Sequence, residues 1–184
     1  MTILPGTNLE IEEGKLSYGF ANIAPLISVT RGLTLAQACD LTGIEPTTVQ
    51  NWIKRGWVAH PVDKRYGEYQ ISRIIILNML RSSMQLEKIA VLLRYVNGDA
   101  DNRNDDIIPD ASLYTYLCKI VDEVTVRNVS DADEIREAAD RITCEYKEAF
   151  PGAKEKLVKA LTVMTLVYIS ATVRQRAEAL FEKL

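Results

Sequence analysis

A chain of 184 residues with 47% hydrophobic residues can bury a real core, in one domain or two small ones, and its net charge of −3 names no partner. Its three cysteines (Cys39, Cys118, Cys144) are odd in number and widely spaced, which excludes a disulfide framework and a CxxC metal site. Met1–Ser17 lacks the basic start and apolar run of a signal peptide, so a cytoplasmic protein is expected.

The charge is unevenly spread. Residues 31–95 carry nine Lys/Arg against five Asp/Glu, whereas residues 96–150 carry six against fourteen. A basic segment beside a strongly acidic one suits a nucleic-acid-contacting module joined to a part that avoids nucleic acid.

In chain order, Pro5–Tyr18 reads as mobile or loosely docked, and Phe20–Val29 as an apolar helix. Thr34 with Gln37 three residues on is a capping-box pattern, opening a short helix over LTLAQACDLT (Leu33–Thr42). Gly43 breaks that helix, since glycine accepts the left-handed conformation of a C′ residue. The next stretch, GIEPTTVQNWIKRGW (Gly43–Trp57), holds a second helix that opens on Pro46, where the missing N–H costs nothing, and stops at Gly56. Val49, Trp52 and Ile53 share one face. Thr47, Thr48, Gln50, Asn51, Lys54 and Arg55 share the other.

Two short helices joined by a Gly-centred turn carry the helix-turn-helix signature, whose second helix enters the DNA major groove. Gln50 and Asn51 are the candidate base readers, because a carboxamide bonds adenine N6 and N7 together. Lys54, Arg55, Lys64 and Arg65 are candidate phosphate contacts, which give affinity without sequence information. Trp52 lies among apolar neighbours and reads as core, and Trp57 as packing between the wing and the helices.

The run WVAHPVDKRYGEY (Trp57–Tyr69) has β-formers, a proline and a glycine without helical period, and suits a small β-wing. Helices are expected next over Ile71–Met79 and Leu86–Val96. The polar loop Asp99–Asp110 partly mimics a calcium loop, but Arg103 and Asn104 occupy positions that such a loop cannot give up, so no metal is expected. Helices are then expected over Ser112–Asn128, from an N-cap at Ser130 to Phe150, and, after Pro151-Gly152, to Leu184. The last is apolar on more than one face over Leu157–Val173, which implies burial on several sides or a dimer interface; that run is short for a membrane span. Cys118 and Cys144 read as buried small apolar residues. His60, the single histidine, has no catalytic partner, and no catalytic or cofactor constellation is present.

Gly43, Pro46, Thr48, Trp52 and Gly56, with Lys64-Arg65-Tyr66 and the run Gln85–Ile89, resemble the pattern of the MerR-type winged helix-turn-helix family over about residues 33–95. Gln50 and Asn51 stand where that family carries Arg and Tyr. The runs GWVAHPVDKRY, ILNMLRSSMQLEKI and NDDIIPD are similar, more narrowly, to a bacterial domain-of-unknown-function family, number 1836. The resemblance implies a DNA-binding half in which Tyr66 joins the contact set, and it adds no established activity.

The expected architecture is therefore mainly α with a small β-wing: an N-terminal arm or helix (1–30), a winged helix-turn-helix (31–96), an acidic loop (97–111) and a helical bundle for dimerisation or sensing (112–184). The expected function is non-catalytic DNA binding in transcriptional regulation, as a homodimer on double-stranded DNA, with a small-molecule effector left open and no membrane partner. The alternative is a protein-interaction module that keeps the scaffold without binding DNA.

Overall fold

Leu4 and Leu16 pin the N-terminal segment to the body, and the computed structural model, which describes residues 1–184, places both in the core. Strand β1 (Thr2–Ile3) pairs antiparallel with β2 (Glu10–Ile11), Thr2 opposite Ile11 and Ile3 opposite Glu10. Tyr114 Oη donates to the Pro5 carbonyl at 2.6 Å, and the Ser17 N–H donates to Asp122 Oδ2 at 3.2 Å. A Cβ on Gly19 would lie 2.2 Å from Leu4 Cδ1, so a glycine is what seats that leucine. The looseness expected of Pro5–Tyr18 is thus wrong: two leucines and two long-range hydrogen bonds hold it down.

Helix α1 (Gly19–Val29) buries Phe20, Ile23 and Ile27. Helix α2 (Leu35–Thr42) opens with the expected capping box: the Gln37 N–H donates to Thr34 Oγ1, and the Thr34 N–H to Gln37 Oε1. Helix α3 (Pro46–Lys54) comes after Gly43, whose φ of 67° is the left-handed conformation expected there. Helix α4 (Glu68–Leu80) is enclosed on nearly every side and packs against α1 and α2. Its apolar run ISRIIILNML carries three polar residues, Ser72, Arg73 and Asn78, and each has a hydrogen-bond partner.

Helix α5 (Leu86–Asn97) is followed by an irregular acidic segment, then by α6 (Asp110–Arg127), α7 (Ala132–Ile142) and α8 (Ala153–Phe181). The α7 cap is Asp131 and not Ser130: Asp131 Oδ1 accepts from the N–H groups of Asp133 and Glu134 at 2.9 and 3.1 Å, satisfying donors the helix leaves free. Nor does α7 reach Phe150. The Thr143 hydroxyl bonds back to the Ala139 carbonyl at 2.7 Å, and the chain then leaves the helix so that Tyr146 Oη donates to the Ile107 carbonyl. Cys144, expected to be buried, is exposed on this departing segment; Cys118 is buried as expected, and burial pushes its thiol up to about 12.

Helix α8 packs against α4, α5, α6 and α7, the several-sided burial its composition predicts. By length and composition it could cross a membrane, but Leu157, Leu161 and Met164 are spent on the core. One continuous core runs from Leu4 to Val167, across every boundary drawn from the sequence. The molecule is mainly helical, and its two-stranded sheet lies at the N-terminus. In the stretch expected to form the wing, residues 57–69, β structure is reduced to two isolated bridges, Val62–Arg65 and Leu33–Tyr66. Pro61 lacks an N–H and Gly67 already opens α4, so neither arm has room to lengthen into a strand.

Candidate nucleic-acid interface

The outward face of α3 is fixed by what holds its inward face. Val49 and Trp52 are buried, and Ile44 anchors the turn from α2. The Gly43 N–H donates to the Cys39 carbonyl at 2.7 Å and ends α2. Asn78 Nδ2 on α4 donates to the Thr42 carbonyl at 2.8 Å and to the Gly6 carbonyl at 3.0 Å, tying the turn to both α4 and the N-terminal loop. The Asn8 N–H donates to the Leu41 carbonyl from the other side. Two separate segments, α4 and the N-terminal loop, therefore brace one turn. The Arg81 guanidinium also lies 5.8 Å from the Trp52 ring, within cation–π range.

With Trp52 turned inward, Thr47, Gln50, Asn51 and Lys54 fall one helical turn apart on the exposed face, and Thr48 is half-buried at its edge. Arg55 is exposed but engaged: its Nη1 donates to Glu87 Oε1 at 2.9 Å, and its guanidinium stacks 4.9 Å from the Trp57 ring. Both partners of that ion pair are more than half exposed, so the pair contributes at most about 1 kcal/mol.

The chain then turns at Asp63 and Lys64, whose φ values of 49° and 60° are left-handed. The N–H groups of Val62 and Arg65 donate to each other's carbonyls at 3.0 and 2.8 Å. This is a two-residue hairpin with both central residues at positive φ, the turn that matches strand twist. Lys64 stands exposed at its tip. Arg65 is half-buried, and its Nη1 donates to the Gly32 carbonyl at 3.1 Å. Tyr66 is a correction: it is 4% exposed, bridges to Leu33 through both backbone hydrogen bonds and belongs to the core, out of reach of a duplex. Burial also raises its phenol above the ordinary value.

The structure thus gathers Thr47, Gln50, Asn51 and Lys54 on one face, puts Lys64 on a separate turn, and leaves Arg55 and Arg65 partly spent. Reasoning from sequence missed a second polar assembly. Arg73 Nε donates to Asp110 Oδ2 at 2.8 Å, Asn97 Nδ2 to Asp110 Oδ1 at 2.9 Å, and Tyr69 Oη to the Ala100 carbonyl at 2.9 Å. All four side chains are buried, joining α4 and the end of α5 to the start of α6. Burial pushes the Asp110 carboxyl up, against the pull of the Arg73 guanidinium and the Asn97 amide. The signal was a lone arginine inside the apolar run of α4, which needs a buried partner wherever that partner lies in sequence. Asp110 is therefore committed to Arg73 and is no cation ligand, and no three His, Cys, Asp or Glu side chains converge elsewhere.

The same assembly falls inside the part of the chain that matches a known family. Residues 27–117, from the end of α1 into the first half of α6, match the model described as "Domain of unknown function (DUF1836)". Over 180 residues the chain is 24% identical to a protein of Bacillus subtilis (strain 168) described as uncharacterized protein YkrK, covering 90% of this chain and 74% of that one. No solved structure matches it. Residues 27–117, which include both the braced turn and the buried Arg73–Asp110 pair, are thus the part of the chain that is similar to the DUF1836 family.

Proposed function

We propose that α2, its turn and α3, with the 62–65 hairpin as a minimal wing, form a MerR-like winged helix-turn-helix that binds double-stranded DNA in transcriptional regulation, without catalysis. The observation that carries this reading is the α3 face: Thr47, Gln50, Asn51 and Lys54 stand exposed in one row on a helix whose other face is locked by Val49 and Trp52. A rigid helix presenting carboxamides and a lysine is the chemistry of major-groove readout. Gln50 and Asn51 read bases, whereas Lys54 and Lys64 meet phosphates.

A homodimer in the cytoplasm completes the proposal, because one such helix reads few base pairs. Support comes from the second half of α8, exposed from Val173 onward. Val163, Leu166, Ser170, Val173, Ala177 and Leu180 succeed one another at steps of three and four residues, the spacing of a helix-pairing seam. A Val173→Glu/Leu180→Glu variant is expected to sediment as a monomer where the parent sediments as a dimer.

Selection from random duplex DNA at moderate salt tests the main reading: an enriched motif supports it, and the absence of one sinks it. Asn51→Ala should then relax sequence preference at its position, while Lys54→Ala should weaken all sequences alike and flatten the salt dependence by about one charge. Identical behaviour of the two variants would overturn the assigned roles. One observation favours the alternative, a protein-interaction module on the same scaffold: of four basic side chains offered to phosphates, Arg55 is paired with Glu87 and Arg65 is bonded to Gly32. A failed duplex selection with α3 intact would favour it.

A further inference from the structure

Between the first turn of α4 and the loop that leads into α6 lies a cavity of about 490 Å³, beside the Arg73–Asp110 pair and apart from the α3 face. Glu68 and Tyr69 line it from α4, and Arg103, Asp106 and Asp110 from the loop and the start of α6. Each Asp110 oxygen already accepts a hydrogen bond, from Arg73 and from Asn97, and the Tyr69 hydroxyl is committed to the Ala100 carbonyl, so the tyrosine offers its ring. That ring is already covered. The exposed Arg103 stacks with its guanidinium carbon 4.2 Å from the ring centroid.

Asp106 is the anomaly. Its Oδ1 is shielded from water and accepts no hydrogen bond, although a buried acceptor left alone costs about 1–3 kcal/mol. Burial first, and the neighbouring Asp110 second, raise its carboxyl to about 6. Arg103 covers the ring without giving Asp106 a hydrogen. A cavity with an aromatic floor, an acceptor wanting a donor and a second acid at Glu68 suits a positive ligand and disfavours an anion. A bare metal ion is a poor fit, because no three acidic, His or Cys side chains converge there.

We propose that this cavity binds a small organic cation with a planar, N–H-bearing headgroup of the amidinium or guanidinium kind. The headgroup takes the place of the Arg103 guanidinium over Tyr69 and donates a hydrogen bond to Asp106. Arg103 is then an internal occupant that a ligand displaces. The site stands on its own geometry and is independent of any contact with DNA.

Calorimetric titration of the full chain with benzamidine tests this, with benzamide as the neutral isostere and benzoate as the anion. Saturable one-to-one binding of benzamidine, without benzamide or benzoate, is expected. Arg103→Ala, at an exposed position, removes the competitor and should strengthen benzamidine binding by about tenfold. Asp106→Asn, checked for an unchanged thermal transition at about pH 4, where the parent carboxyl is protonated, should weaken it by about tenfold or more. Silence from benzamidine with both the parent and Arg103→Ala would overturn the proposal. So would equal binding of benzamide, or an Asp106→Asn variant that binds as well as the parent.

Discussion

The chain carries two groups of polar residues built in opposite ways. On α3, Thr47, Gln50, Asn51 and Lys54 face solvent and hold nothing together. Between α4, α5 and α6, Arg73, Asn97 and Asp110 face each other, closed off from solvent. In the first group a side chain is free to meet a partner, and its loss leaves the fold alone. In the second both Arg73 and Asn97 donate to Asp110, and the loss of either charged partner strands the other charge in the core. Location, and not residue type, separates the two.

The largest effect comes from stranding that charge. Asp110→Ala leaves the Arg73 guanidinium buried without its carboxylate, and removing one partner of such a pair costs about 3–5 kcal/mol. Urea unfolding should show this as a lower midpoint. The paired replacement Arg73→Met/Asp110→Leu, which removes both charges, should recover much of the loss, since well-packed apolar residues in place of a buried ion pair are often neutral. A double variant no better than Asp110→Ala would mean that Asn97 and Tyr69, and not the charge, set the cost.

The same contrast explains what could be seen in the sequence. The α2–turn–α3 unit was visible because all its signals are local: the Thr34–Gln37 box, Gly43, Pro46 at the first turn, and Val49 with Trp52 on one face. The buried assembly joins residues 37 positions apart, and no spacing rule pairs Arg73 with Asp110. Tyr66 was misplaced for a related reason. The family resemblance put it with Lys64 and Arg65 in the contact set, but its backbone pairing with the distant Leu33 turns the ring inward. The seating of residues 1–18 also depends on distant partners, Tyr114 and Asp122. Helix α7 ran short of its expected end because a threonine hydroxyl and a tyrosine anchor, not a glycine or proline, ended it.

Asp106 lies between the two groups, partly buried and unpaired, and its effect is smaller and depends on pH. Burial, Asp110, Arg73, Asp105 and Arg103 all bear on its carboxyl, which is raised from 3.8 to about 6. A carboxyl raised on folding binds its proton more tightly in the folded state, so stability is greatest below the unfolded value and falls as pH rises from about 4 to about 6. Solvent still reaches part of the group and screens it, so the loss over that window is on the order of 1 kcal/mol. Thermal melts of the parent should show this decline. Asp106→Asn, which has no proton to lose, should flatten it, and an unchanged slope would assign the decline to another group.

Arg55 yields the smallest stability effect and the finest test, because it stands on the exposed face yet is partnered like a core residue. Its bond to Glu87 is between two largely exposed side chains, so Glu87→Ala should change unfolding free energy by no more than about 1 kcal/mol. Its effect on a duplex should be visible: an arginine released from a carboxylate can neutralise one more phosphate. The logarithmic salt dependence of binding should then steepen by about 0.9. If the slope is unchanged and the melt falls by several degrees, Arg55 is a structural residue. Its stacking on Trp57, 4.9 Å away, then ties the end of α3 to the chain entering the 62–65 hairpin, and the row proposed to face DNA ends at Lys54.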